Sequence, residues 1–119
     1  MKLYNWNTVP EEQMNPLVSR KVVHLENITL ARIRLAKGAV VPLHSHIAEQ
    51  VTMLESGKLR FEIDGRETIV SGGELLQIPP SAPHWIEALE DSVATDLFSP
   101  PREDWIRGDD AYLRAGQPT

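Results

Sequence analysis

One segment leaves its backbone almost no choice. In Lys58-Leu59-Arg60-Phe61-Glu62-Ile63-Asp64 the apolar Leu59, Phe61 and Ile63 alternate strictly with charged residues. Successive side chains of an extended chain point to opposite faces, so this period of two gathers the apolar groups on one face and the charges on the other. A helix would scatter the same residues around its circumference. The segment reads as a half-buried β-strand. Asp64-Gly65 follows at once, and both residue types accept the positive φ angles of a type I′ turn. With Arg66 to Val70 extended beyond it, the whole reads as a hairpin.

Similar short segments recur at Ile28 to Leu35, Val51 to Leu54, Glu74 to Ile78, His84 to Ala88 and Val93 to Phe98. Between them lie Lys37-Gly38, Ser56-Gly57, Gly72-Gly73 and the run Pro79 to Pro83, all of it turn chemistry. Many short strands with no convincing helix between them predict an all-β antiparallel sandwich or barrel. A chain of 119 residues holds one such domain, with its own core. We place the barrel core at about 22–99. Residues 1–20, with Pro10 and Pro16 around polar neighbours, read as an irregular N-terminal arm. In the C-terminal segment, 100–119, the run Pro100-Pro101-Arg102-Glu103-Asp104 predicts a short helical turn to Arg107, closed by Gly108. Residues 115–119 are expected to fray.

Composition removes several kinds of chemistry. There is no cysteine, so disulfides, thiolate nucleophiles and cysteine-held metals are excluded. Lys and Arg total 12 against 17 Asp and Glu, a net charge of -5, with no basic patch. Nucleic acid is not an expected partner. Apolar runs stay too short for a membrane span, and residues 1–8 have no apolar signal region. The expected compartment is the cytoplasm.

Chemistry concentrates in the histidines. His44-Ser45-His46 is followed by Gln50, and His84 comes after the proline-rich turn. On a strand, His44 and His46 share a face, and Gln50 keeps that parity if no bulge falls at Ile47 to Glu49; Glu49 has the opposite parity. A facing strand carrying His84 would complete three imidazoles and one carboxamide around a point inside the barrel. His24 stands alone and reads as an ordinary strand residue.

Two stretches resemble the two motifs of the cupin superfamily. The first runs Gly38, five residues, His44-Ser45-His46, three residues, Gln50, six residues, Gly57; the second runs Gly73, five residues, Pro79, four residues, His84. That family folds as a double-stranded β-helix, or jelly-roll barrel, around a metal. The resemblance implies one divalent metal ion, Zn, Ni, Fe or Mn, held by His44, His46, His84 and Gln50 or Glu49. Gln50 stands where Glu is usual, Ser81 where Gly is usual and Ala88 where Asn is usual. Three neutral imidazoles and a neutral amide would leave the full +2 charge on the site, a stronger Lewis acid that attracts anions.

A second resemblance is to the pectin-degradation cupins of the KdgF type. It rests on His44-Ser45-His46, Gln50-Val51-Thr52 and the run Asp96-Leu97-Phe98-Ser99-Pro100-Pro101-Arg102-Glu103-Asp104-Trp105. It implies an isomerase that converts 4,5-unsaturated uronates to linear keto forms, with Asp96, Phe98 and Arg102 important for activity. Read physically, Asp96 and Phe98 share a strand face, and an inward Asp beside a cation is a proton carrier. Arg102 suits a substrate carboxylate. The plainer alternatives are an outward Asp96, a core Phe98, and an Arg102 paired with Glu103 or Asp104. Two other functions stay open: a metal-dependent dioxygenase and a non-catalytic small-ligand-binding cupin. The expected partners are a small anionic substrate and a second copy in a homodimer, with the N-terminal arm across its interface.

Overall fold

In a computed structural model describing residues 1–115, β6 (Lys58–Ile63) pairs antiparallel with β7 (Arg66–Ser71), Ile63 facing Arg66. Asp64 (φ 50°) and Gly65 (φ 76°) both take the left-handed conformation that a type I′ turn demands. Leu59 and Phe61 are buried, as their alternation predicts.

The remaining strands are β1 (Glu12–Asn15), β2 (Val18–His24), β3 (Thr29–Leu35), β4 (Val40–His44), β5 (Glu49–Ser56), β8 (Leu75–Ile78), β9 (His84–Ala88) and β10 (Ser92–Ser99). They form two antiparallel sheets, one ordered β1-β2-β3-β10-β5-β8 and the other β4-β9-β6-β7. Strands β3, β5, β6, β9 and β10 turn alternate residues inward. Ala31, Ile33 and Leu35 from β3, Leu54 from β5, Leu59 and Phe61 from β6, Ile86 from β9 and Ala94 from β10 meet in one core between the sheets. Apolar burial of this kind contributes roughly 25 cal/mol per Å², the main term holding the layers together.

Both ends differ from expectation. The irregular arm is confined to residues 1–11, with one 3-10 turn at Trp6–Thr8. Residues 12–20 belong to β1 and β2, so the barrel core begins before residue 22. The prolines misled because Pro16 lies in the turn between those strands, where no ladder N–H is needed, and β1 is an edge strand. Buried Met14 and Val18 carry the core signal. At the other end the expected helical turn is α1 (Glu103–Ile106), followed by Gly108 at φ 84°. A second short helix, α2 (Ala111–Ala115), was not expected. From residue 116 onward, the expected fraying lies outside the described residues.

Strand register sets up the site. In the smaller sheet His44 lies opposite His84. In the larger sheet Gln50 lies opposite Phe98, and Thr52 opposite Asp96. At this end of the barrel the buried polar residues His84, Gln50, Thr52 and Asp96 therefore stand together, with Phe98 among them.

Candidate metal centre

The histidines converge, though not by the expected route. Strand β4 ends at His44, and His46 stands in the link to β5, just before the bend at Ile47 and Ala48. Val41 pairs with Ile86 and His44 with His84, so three steps along β4 answer two along β9. That extra residue is a β-bulge, beside Pro42, which cannot donate a ladder hydrogen bond. It turns Leu43 outward and His44 inward. The shared parity of His44 and His46 on one strand is thus corrected: a bulge and a bend aim them at one point.

All three rings are oriented alike. Nδ1 of His44, His46 and His84 lies 2.8, 2.8 and 2.9 Å from the carbonyl oxygens of Pro42, Ala48 and Ala82, each two residues before or after it. A carbonyl only accepts, so each Nδ1 carries the proton and each Nε2 presents a lone pair. The three ligating nitrogens lie within 4.8 Å of one another. Burial, the first cause for each ring, keeps them neutral; it acts with the neighbouring His84 to lower His44 to about 3, and with the Arg102 charge to lower His46 to about 4. His84 is lowered too, by burial first.

This donor set fits a divalent cation. His84 Nε2 is buried with no hydrogen-bond partner among the described residues. A buried lone pair without a partner costs about 1–3 kcal/mol, and a cation is the group that satisfies three converging ones at once. Gln50 joins them from β5: its Oε1 is 3.0 Å from His46 Nε2, while its Nε2 donates to the Thr52 hydroxyl at 2.9 Å. Glu49 is exposed and accepts a hydrogen bond from Gln77 at 2.8 Å. Between the two, Gln50 faces the cluster.

Asp96 lies on the same inward face. It is buried, and its Oδ1 has no partner. Burial raises its carboxyl to about 6, against the opposing pull of the Thr52 hydroxyl, the Arg102 charge and the Gln50 amide. A carboxyl in that range exchanges a proton near neutral pH. Phe98 packs edge-on against His46 and Trp105, with ring centroids 5.5 and 5.1 Å apart.

Arg102 is more engaged than a free carboxylate clamp. Its Nε and Nη2 donate to the two oxygens of Asp104 at 2.9 and 2.8 Å, and Nη2 also donates to the Tyr112 hydroxyl at 2.8 Å. The guanidinium stacks on Trp105 and Phe98, 4.2 and 4.7 Å from their centroids. The bidentate fork is therefore taken by Asp104, and Nη1 is the nitrogen left to a ligand.

A family model of the cupin domain matches residues 31–99. The chain belongs to the cupin family. This cupin is 28% identical over 100 residues to the pectin degradation protein KdgF of Dickeya dadantii, covering 82% of this chain and 91% of that one. Among solved structures it superposes on KdgF from Halomonas sp. with a TM-score of 0.80 at 27% identity, over 87% of this chain and 99% of the other. A variant of the oxalate decarboxylase OxdC of Bacillus subtilis matches with a TM-score of 0.73 at 25% identity, over 82% of this chain but 29% of that one.

Two cavities flank the centre of the cupin. An inner one of about 30 Å³ touches His44, Gln50, Asp96, Phe98, Arg102 and Tyr112. An outer one of about 260 Å³ is lined by residues including Ser45, His46, Pro101, Arg102, Asp104 and Arg107. The inner space holds about one water, whereas the outer approaches the scale of a small ligand. Sequence reasoning missed Thr52 and Tyr112. Thr52 had a usable signal, the same parity as Gln50 on one strand; Tyr112 had none, because α2 was not foreseen. No helix among the described residues is long and apolar enough to cross a membrane.

Proposed function

We propose that this cupin is an isomerase that opens the ring of 4,5-unsaturated uronate monosaccharides to the linear keto form. The observation that carries the reading is Asp96, a buried carboxyl raised to about 6 with one oxygen unpartnered, lining the same cavity as His44 and Gln50. The likeness to pectin degradation proteins of the KdgF name supports the substrate class. Opening breaks the bond between the anomeric carbon and the ring oxygen. The anomeric hydroxyl loses a proton, C4 gains one, and the former ring oxygen ends as a ketone. The net change is an isomerisation and needs no oxidant.

Each residue has a part in that scheme. His44, His46, His84 and Gln50 would hold the divalent ion, which supplies Lewis-acid stabilisation of negative charge on substrate oxygens. Asp96 takes and returns the proton. Arg102 offers Nη1 to the carboxylate from the wall of the outer cavity, and Phe98 packs behind His46. The neutral ligand set favours an anionic sugar despite the net charge of -5, which belongs to the outer surface.

The test is direct. Metal-loaded protein is given an unsaturated uronate and the loss of conjugated ultraviolet absorbance is followed; a rate equal to the spontaneous one rejects the isomerase. We also propose a homodimer in the cytoplasm. Exposed Met1, Leu3 and Tyr4 on the N-terminal arm support pairing, and sedimentation of the protein with and without residues 1–5 tests it.

A further inference from the structure

Tyr112 stands between the two parts of the site. Its ring stacks on His44, with centroids 4.4 Å apart and planes 22° from parallel. Its hydroxyl accepts from Arg102 Nη2 at 2.8 Å and from Trp105 Nε1 at 3.0 Å. One side chain therefore touches an imidazole of the metal cluster and the cation on the wall of the outer cavity.

The helix that carries it is short but tied down. Asp110, just before α2, accepts from Arg20 Nη2 at 2.5 Å, and both side chains are only 5% exposed. Asn15 Nδ2 donates to the Leu113 carbonyl at 2.7 Å, and the Leu113 side chain enters the core. A buried ion pair is expensive to desolvate, and this one joins the start of α2 to β2. These ties come from β1 and β2, so the first strands of the chain anchor the last helix over the histidines.

We infer that Tyr112 is a positioning residue of the metal centre. The hydrogen bond from His44 Nδ1 to Pro42 sets the tautomer, but one bond leaves the ring free to swing about it; the flat contact with Tyr112 fixes its plane. The hydroxyl, together with Asp104, holds the guanidinium of Arg102 in place where that residue lines both cavities. Groups that orient a ligand in this way commonly control metal affinity by 10–100-fold.

The ring and the hydroxyl are separable. Tyr112→Phe keeps the stack and loses the bonds to Arg102 and Trp105; Tyr112→Leu loses both. Each folded variant, checked by its melting curve, is titrated with Co(II) in competition with a chelator, and its visible Co(II) spectrum is recorded. Tyr112→Leu should weaken Co(II) binding about 10-fold or more and alter the spectrum, while Tyr112→Phe stays within about twofold of wild type with an unchanged spectrum. On unsaturated uronate, Tyr112→Phe should raise KM with little change in kcat. The uronate arm rests on the isomerase reading, and the Co(II) arm does not. If wild type fails to turn over uronate, that reading falls and the Co(II) titration still decides the role of Tyr112. Wild-type affinity and spectrum in Tyr112→Leu, or equal weakening of Co(II) binding in both variants, overturns the inference.

Discussion

His46 Nε2 and Gln50 Oε1 face each other 3.0 Å apart. With His46 Nδ1 donating to the Ala48 carbonyl, the contact is one acceptor against another, held because the other end of the carboxamide donates to Thr52. A cation between them turns a mild repulsion into two ligand bonds. Gln50→Ala should therefore weaken divalent metal binding, and unchanged affinity would exclude Gln50 as a ligand. Gln50→Glu should tighten it, since a carboxylate cancels one unit of the ion's charge, while lowering uronate turnover by weakening the Lewis acid. Chelator competition and the absorbance assay, run on the same preparations, separate the two effects.

Arg102 and Asp104 form a pair that lysine cannot reproduce. The arginine side chain is 2% exposed, and its planar fork meets both carboxylate oxygens while its face lies on two aromatic rings. An ammonium keeps the charge but loses the fork and the stacking. Arg102→Lys should cost about 2 kcal/mol of stability, less than the roughly 3–5 kcal/mol for removing one partner of a fully buried pair, because the charge remains and the Asp104 side chain is 28% exposed. Urea denaturation measures it, and a loss below about 1 kcal/mol would place the interaction with weak exposed ion pairs.

The metal-free protein should lose stability as pH falls. Unfolded imidazoles titrate near 6.5, whereas in the fold burial lowers His44 to about 3, His46 to about 4 and His84 as well. Below about pH 6.5 the unfolded chain therefore binds protons that the folded chain refuses, and stability drops. Asp96 acts in the opposite sense. Its folded value is raised to about 6, above roughly 3.9 when unfolded, so its contribution is present at low pH and is lost as pH rises through that window. Three imidazoles outweigh one carboxyl. Each unmatched proton changes stability by about 1.4 kcal/mol per pH unit. Urea midpoints between pH 7 and 4.5 should fall with acid, more steeply in Asp96→Asn, where the opposing group is gone; a flat wild-type profile contradicts the assignment.

Where the sequence was legible, one local rule decided the outcome. Alternation alone sufficed for β6, because Leu59 and Phe61 have no other way to reach a core. That Asp96 and Phe98 share a face followed from the same rule on β10, and the structure turns that face inward. Parity could not place His46 because β4 ends at His44, and Pro42 marks an irregular ladder beside it without saying which residue is extra. The strands within residues 12–20 were obscured by Pro16, whose turn lies between them. Asp104 was visible as a partner for Arg102, but local spacing cannot tell a solvated pair from a buried one. Tyr112 is held at the centre because Arg20 of β2 binds Asp110 and Asn15 of β1 binds the Leu113 carbonyl, on either side of it, a distance in sequence that no local pattern spans.

Gly57 links the motif spacing to packing. It takes φ 97°, and a Cβ built there would lie 2.2 Å from Ser92 Oγ, 2.5 Å from the Asp91 carbonyl oxygen and 2.7 Å from Ser92 Cα. Two of those three atoms are backbone, so no rotamer change relieves the clash. Ser92 Oγ also accepts from the Lys58 amide and donates to the Glu90 carbonyl, bonds that knit the start of β6 to the start of β10. Gly38 provides the control. It has a similar φ of 90° with nothing within 4 Å of a built Cβ, so alanine there incurs the left-handed backbone penalty alone, about 1–2 kcal/mol. Gly57→Ala should cost at least about 2 kcal/mol more than Gly38→Ala, because backbone displacement adds to the same penalty. Urea denaturation of the two metal-free variants gives the difference directly, and equal losses would mean that the glycine is required for its φ and not for the close approach of the β10 backbone.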